Sequence, residues 1–182
     1  MLKLNKNTYS FMLLILSATL IAVTSSQSLG FAKKIATLSG DQVVPPVSTT
    51  ATGKATFRHP DSITMNYKVS FIDINHPTGI GVHMGKIGTN GDLIVDLMKQ
   101  AKSQSTNGNM IVTGSFTAQN LIGPMKGKTI LELVDSMKSG DTYLIIDTEK
   151  HPTGEIRGQL ELAHPATSSI VKTSSNENQT KS

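Results

Sequence analysis

The sequence predicts an all-β fold, a sandwich or barrel of about eight short strands with one short helix. Three observations carry that expectation. Apolar and polar residues alternate with period two through the middle of the chain. Turn signals interrupt the alternation at short intervals. A single segment shows helical spacing together with its own start and stop signals.

The strands follow in chain order. Ile35–Leu38 and Gly53–Arg58 come first, and then the clearest case, Ile63–Phe71. There Ile63, Met65, Tyr67, Val69 and Phe71 share one face, and Thr64, Asn66, Lys68 and Ser70 share the other, as in a half-buried strand. Ile80–Gly85, Leu93–Met98, Met110–Phe116, Tyr143–Thr148 and Glu155–Leu162 complete the set. His59-Pro60-Asp61, Thr89-Asn90-Gly91-Asp92, Asn107-Gly108-Asn109 and Pro152-Thr153-Gly154 supply the turns. The exception is Ile130–Ser139. Thr129 and Glu132 form a capping-box pattern, Leu133, Val134 and Met137 recur at helical spacing, and Gly140 suits the position just past the end.

The two ends read differently from this middle. Lys3 and Lys6 precede an uncharged apolar run from Phe11 to Val23, and Gly30 and Ala32 sit at the small-residue positions of a cleavage site. That pattern predicts a signal peptide over residues 1–32, with an uncleaved N-terminal anchor as the alternative. The run is shorter than the roughly 20 residues of a spanning helix. Residues 164–182 are mostly Ser, Thr, Asn, Gln and Lys and read as a solvated, disordered tail, with a glycosylation sequon at Asn178-Gln179-Thr180. Residues 33–163 are then the folded domain.

Composition removes several classes of function. The chain has 182 residues and no Cys, which excludes disulfide frameworks, thiolate metal sites and cysteine nucleophiles. The net charge of +4 includes Lys3 and Lys6, so the expected mature chain carries an excess of only two positives, too little to imply nucleic-acid binding. No Gly-x-Ser-x-Gly, His-Glu-x-x-His or phosphate-loop pattern occurs. No catalytic site and no cofactor are implied.

Five segments, in order, resemble the CHRD (chordin-type) domain found in secreted microbial proteins. Leu38-Ser39-Gly40-Asp41-Gln42-Val43-Val44-Pro45-Pro46-Val47 is similar to that family's opening, and Thr52-Gly53-Lys54-Ala55-Thr56-Phe57 to the strand after it. His83-Met84-Gly85-Lys86-Ile87-Gly88-Thr89-Asn90-Gly91 resembles its histidine strand and glycine-rich hairpin. Phe116 to Pro124 is similar to its strand-to-helix passage. Tyr143–Thr148 and then Gly154-Glu155-Ile156-Arg157-Gly158-Gln159-Leu160 resemble its closing hairpin. The resemblance implies an immunoglobulin-like sandwich or barrel, and a secreted or cell-surface module that binds or scaffolds, with an extracellular protein or envelope component as partner. It marks Gly40, Pro45, Pro46, His83, Gly85, Gly91, Gly154, Glu155, Arg157, Gly158 and Gln159 as motif positions. The chain departs from the family pattern where Gly81 replaces the first of two histidines, Asp147 another, and Val43 an acid.

Candidate chemistry centres on His83. Of the five histidines it alone lies inside a strand, with Gly81 and Gly85 on the same face, and the other four, His59, His76, His151 and His164, precede proline. His76-Pro77-Thr78-Gly79 and His151-Pro152-Thr153-Gly154 repeat one tetrapeptide, which reads either as two turns or as two imidazoles at one rim. His83, Asp147 and Arg157 are expected to form a polar cluster if their strands are neighbours. A metal-binding or redox site at His83 and Asp147 is the alternative function, and the two are fewer than the three or four protein ligands zinc takes. Arg157 is expected to be partly buried, with Glu155, Asp147 or backbone carbonyls as partners. Membrane contact is expected only if the N-terminal segment is retained.

Overall fold

A computed structural model describes residues 33–106 and 109–162. The expected leader and polar tail lie outside these residues. Ten strands form: β1 Lys34–Ser39, β2 Thr52–Arg58, β3 Thr64–Ile72, β4 Pro77–Met84, β5 Leu93–Asp96, β6 Lys102–Thr106, β7 Asn109–Thr117, β8 Thr142–Thr148, β9 Ile156–Gln159 and β10 Glu161–Leu162. One helix, α1, spans Ile130–Lys138. All the described pairings are antiparallel, and the strands run in the order β5-β4-β8-β9-β1-β2-β3-β7-β6, with β10 beside β1. The expected sandwich or barrel is thus one continuous sheet, curled around one core.

Burial explains the curl. Every strand from β1 to β5, and also β7, β8 and β9, contributes apolar side chains to the same cluster, among them Leu38, Phe57, Val69, Val82, Ile94, Phe116, Leu144 and Ile156. A flat sheet would leave that face wet. The connection between the two edge strands closes the gap. Leu97 donates its N–H to Ile80 O of β4 at 2.9 Å, and its carbonyl accepts the buried Tyr67 hydroxyl of β3 at 2.6 Å. Helix α1 buries Ile130, Leu133, Val134 and Met137. Thr129 and Glu132 form the reciprocal cap, and Gly140 takes φ of 70° just beyond the end.

Three details differ from the expected pattern, and local hydrogen bonding or pairing accounts for each. Ile63 is 66% exposed rather than inward-facing. The Asp61 carboxylate accepts the N–H groups of Ile63 at 2.8 Å and Thr64 at 2.6 Å, which holds Ile63 in the turn and starts β3 one residue later. The Leu93–Met98 strand stops at Asp96, whose Oδ1 caps Met98 N at 3.0 Å and opens a 3-10 turn. Strand β6 has no apolar alternation and was not expected. Its backbone pairs with β7 from Lys102↔Thr113 to Thr106↔Asn109, so its partner creates it.

Candidate functional site: the Arg157 node and the β4 cleft

Arg157 stands on β9, on the face of the sheet opposite the apolar core, yet only 1% of its surface is exposed. Two loops cover it. Nη1 donates to Gln42 O at 2.8 Å, in the loop after β1. Nη2 donates to Lys86 O at 3.0 Å and Thr89 O at 3.2 Å, in the loop between β4 and β5. The guanidinium also lies 3.9 Å from the centroid of the Tyr143 ring. Burial lowers its pKa from the ordinary arginine range, with Tyr143 opposing, and the group stays charged. Its partners are carbonyls and the Gln159 side chain, not carboxylates. Glu155 is committed elsewhere, accepting the hydroxyls of Thr49 and Thr148 at 2.8 Å each.

Gln159 repeats the device two residues on. Its Nε2 lies 2.9 Å from Gly85 O, 2.7 Å from Gly140 O and 2.9 Å from Thr142 O. The closing signature is therefore a set of donors aimed at carbonyls of the covering loops and of β8, of which Lys86 O and Thr142 O also accept backbone N–H groups. Gly91 completes this arrangement by close approach: a side chain there would run into the Met84 carbonyl. Gly40 is buried against Val47 and Thr49, Gly85 lies beside Tyr143, Gly154 takes φ of 120° over Ile145, and Gly158 lies against Thr37 O. Pro45 and Pro46 are exposed in the covering loop, and the Val44–Pro45 peptide is cis.

His83 belongs to a different part of this face. It pairs across the sheet with Tyr143, and the rings stack with centroids 5.3 Å apart. The strand order places β8 between β4 and β9, so Tyr143 separates His83 from Arg157. The expected cluster of His83, Asp147 and Arg157 is consequently two sites joined by an aromatic ring. His83 Nδ1 is 2.9 Å from Gly91 O. A carbonyl only accepts, so Nδ1 donates to it and Nε2 is the ring nitrogen left facing the cleft. Reading the sequence missed Tyr143, Gln42 and Thr89. Tyr143 acts through ring contacts that depend on strand order, and the others act through backbone carbonyls that no residue type announces.

Nε2 overlooks a cleft of about 320 Å³ lined by Gly79, Gly81, His83, Leu93, Asp96 and Asp147, among others. The floor is a glycine strip. A Cβ on Gly79 would lie 2.6 Å from the Asp147 carboxylate, and one on Gly81 would lie 2.5 Å from Leu93 and 3.1 Å from His83 Nε2. Strand register sets Asp147 beside Gly79 on one side of β4 and Asp96 beside Gly81 on the other. Burial pushes the Asp147 carboxyl above its ordinary 3.8, and the His83 imidazole opposes that shift. Among the described residues no group of three or more His, Cys, Asp or Glu comes together. Both repeated tetrapeptides bond to the end of β8, where Glu149 N donates to His76 O and Thr148 N to His151 O.

The CHRD domain family model matches residues 35–160. This chain belongs to the CHRD domain family. Zebrafish (Danio rerio) chordin is 29% identical over 125 residues, covering 68% of this chain and 12% of chordin. The chain thus spans a small part of that curated relative's length. In this CHRD domain the matched region begins at β1 and ends just after β9, so it contains both the covering loops and the donors that hold them.

Proposed function

We propose that this CHRD domain is an exported or cell-surface binding module that presents the β4 cleft to a cationic, hydrogen-bond-donating group of an extracellular protein. Chordin, its distant relative, supports an extracellular setting, and Lys3, Lys6 and the Phe11–Val23 run support export through a cleaved leader. The observation that carries the binding reading is the cleft's chemistry: a glycine floor, an open imidazole Nε2 and a half-buried carboxylate with no hydrogen bond among the described residues. The carboxylates of Asp147 and Asp96 accept, and Nε2 and the Thr78 hydroxyl can do so beside them. A lysine or arginine side chain would satisfy them.

The site asks for a test that separates binding from stability. A carboxyl with its folded pKa raised favours folding below its unfolded pKa, and that contribution is lost as pH rises through the folded value. Asp147→Asn is therefore expected to raise the thermal midpoint at pH 7, with the difference shrinking as pH falls toward 3.8. The same variant is expected to abolish the chemical-shift changes that a short Lys- and Arg-containing peptide causes at Gly81 and His83. Equal peptide responses in both proteins would remove the cleft from the binding role. Mass spectrometry of exported protein is expected to find a chain beginning at Lys33, and intact Met1 would mean the segment is kept as an anchor.

A further inference from the structure

The charge on this sheet is segregated by strand. β2, β3, β6 and β7 carry Lys54, Arg58, Lys68 and Lys102 and not one Asp or Glu. β4, β5 and β8 carry Asp96 and Asp147 and not one Lys or Arg. The register places the four bases on a single surface. Thr56, Lys68, Thr113 and Lys102 are successive partners across β2, β3, β7 and β6, with Lys54 and Arg58 two residues to either side of Thr56 on the same face. Lys54, Arg58, Lys68 and Lys102 are exposed, and among the described residues none of them forms an ion pair. An open groove of about 440 Å³ crosses this face, lined by Lys33, Lys54, Thr56, Arg58, Asn66 and Lys68 among others.

We propose that this outer face is a docking surface for a linear phosphodiester polymer of the cell envelope, with a polyol repeat and no bases. Charge complementarity carries the assignment. Lys68 is one strand and two residues from both Lys54 and Arg58, so the bases follow one another about 8 Å apart on a strand spacing of about 4.8 Å and a rise of about 3.4 Å per residue. An extended three-carbon phosphodiester repeat, six single bonds of about 1.5 Å each, presents its charges at a comparable interval of roughly 7 Å. Thr56, Asn66 and Ser70 stand between the bases and supply neutral donors to phosphate oxygens. The outward residues of β2 and β3 include no aromatic ring on which bases could stack, which disfavours single-stranded nucleic acid. They offer one exposed apolar side chain, Ile72, too little to enter a lipid surface.

The face is separated from the β4 cleft by β8, β9 and β1 in the sheet order, so either site can fail without the other. The experiment is calorimetric titration of the full mature chain with poly(glycerol phosphate) at several salt concentrations. Affinity is expected to fall with salt, because neutralising phosphates releases counterions. The double variant Lys54→Glu, Lys68→Glu is expected to bind at least tenfold more weakly and with a shallower salt slope. Lys126→Glu with Lys150→Glu, which makes the same change in net charge on exposed residues elsewhere, is expected to bind within twofold of the unchanged protein. Thermal midpoints of both variants establish that they fold. Equal weakening by the two double variants would reduce the effect to net charge and overturn the proposal. So would tighter binding to oligothymidylate, to a sulfated polysaccharide or to anionic vesicles, or no binding to the polymer at all.

Discussion

Replacing Arg157 with alanine is expected to destabilise the domain by about 3–5 kcal/mol, the range for breaking a buried, hydrogen-bonded charge network. The carbonyls of Gln42 and Thr89 lose their guanidinium donor in one step, while Lys86 O keeps the N–H and hydroxyl of Thr89. A buried acceptor left without a partner costs about 1–3 kcal/mol each, reduced where water can enter after the truncation. The contact with Tyr143 is lost as well. Arg157→Lys keeps the charge and tests the geometry. A single ammonium cannot reach Gln42 O in one loop and Lys86 O and Thr89 O in another with the fixed span of a guanidinium fork. Lysine is expected to recover less than half of the alanine deficit in denaturant unfolding. Hydrogen exchange should show loops 40–47 and 85–91 opening before the sheet. A lysine variant as stable as the original protein would mean that the loops are held by something other than the fork.

Val69→Asp is expected to prevent folding or to cost several kcal/mol, because it places a carboxylate at a fully buried site without a partner. Val69 lies inside the sheet, between Ala55 of β2 and Val112 of β7, and has 0% of its surface exposed. In a domain of this size one kcal/mol corresponds to roughly 4 °C in thermal midpoint, so a fall above about 12 °C or loss of the transition is the expected readout. Lys68→Glu, one residue away on the exposed face, is expected to shift stability by no more than about 0.5 kcal/mol. The contrast checks the face assignment of β3. An unchanged midpoint for Val69→Asp would refute it.

How far the sequence reached depends on the length scale of each interaction. The inward face of β3 was legible because burial on one side imposes period two, and Met65, Tyr67, Val69 and Phe71 are all buried. The helix was legible because its cap is local: Thr129 and Glu132 are three residues apart and bond to each other's backbone and side chain. Ile63 was misplaced because the alternation extends one residue past the point where the Asp61 side chain stops it. Strand β6 was invisible because an exposed edge strand gains its order from backbone pairing with β7, to which Lys102, Ser103 and Gln104 contribute no apolar pattern.

The sequence by itself determined the all-β class, the helix and its ends, the family, and the need of Arg157 for partners, since each follows from nearest-neighbour patterns or from the donors of one side chain. The tertiary structure alone decided which partners Arg157 has. It chose carbonyls 68, 71 and 115 residues away over the carboxylates of Glu155 and Asp147, which are near in sequence or across a hairpin. It also split the expected polar cluster, because β8 inserts between β4 and β9 and brings Tyr143 between His83 and Arg157. It assembled the basic face from β2, β3, β7 and β6, strands that span more than 50 residues of chain. Strand order and register are set by the summed burial of the whole curled sheet, a long-range quantity that no local window of residues contains.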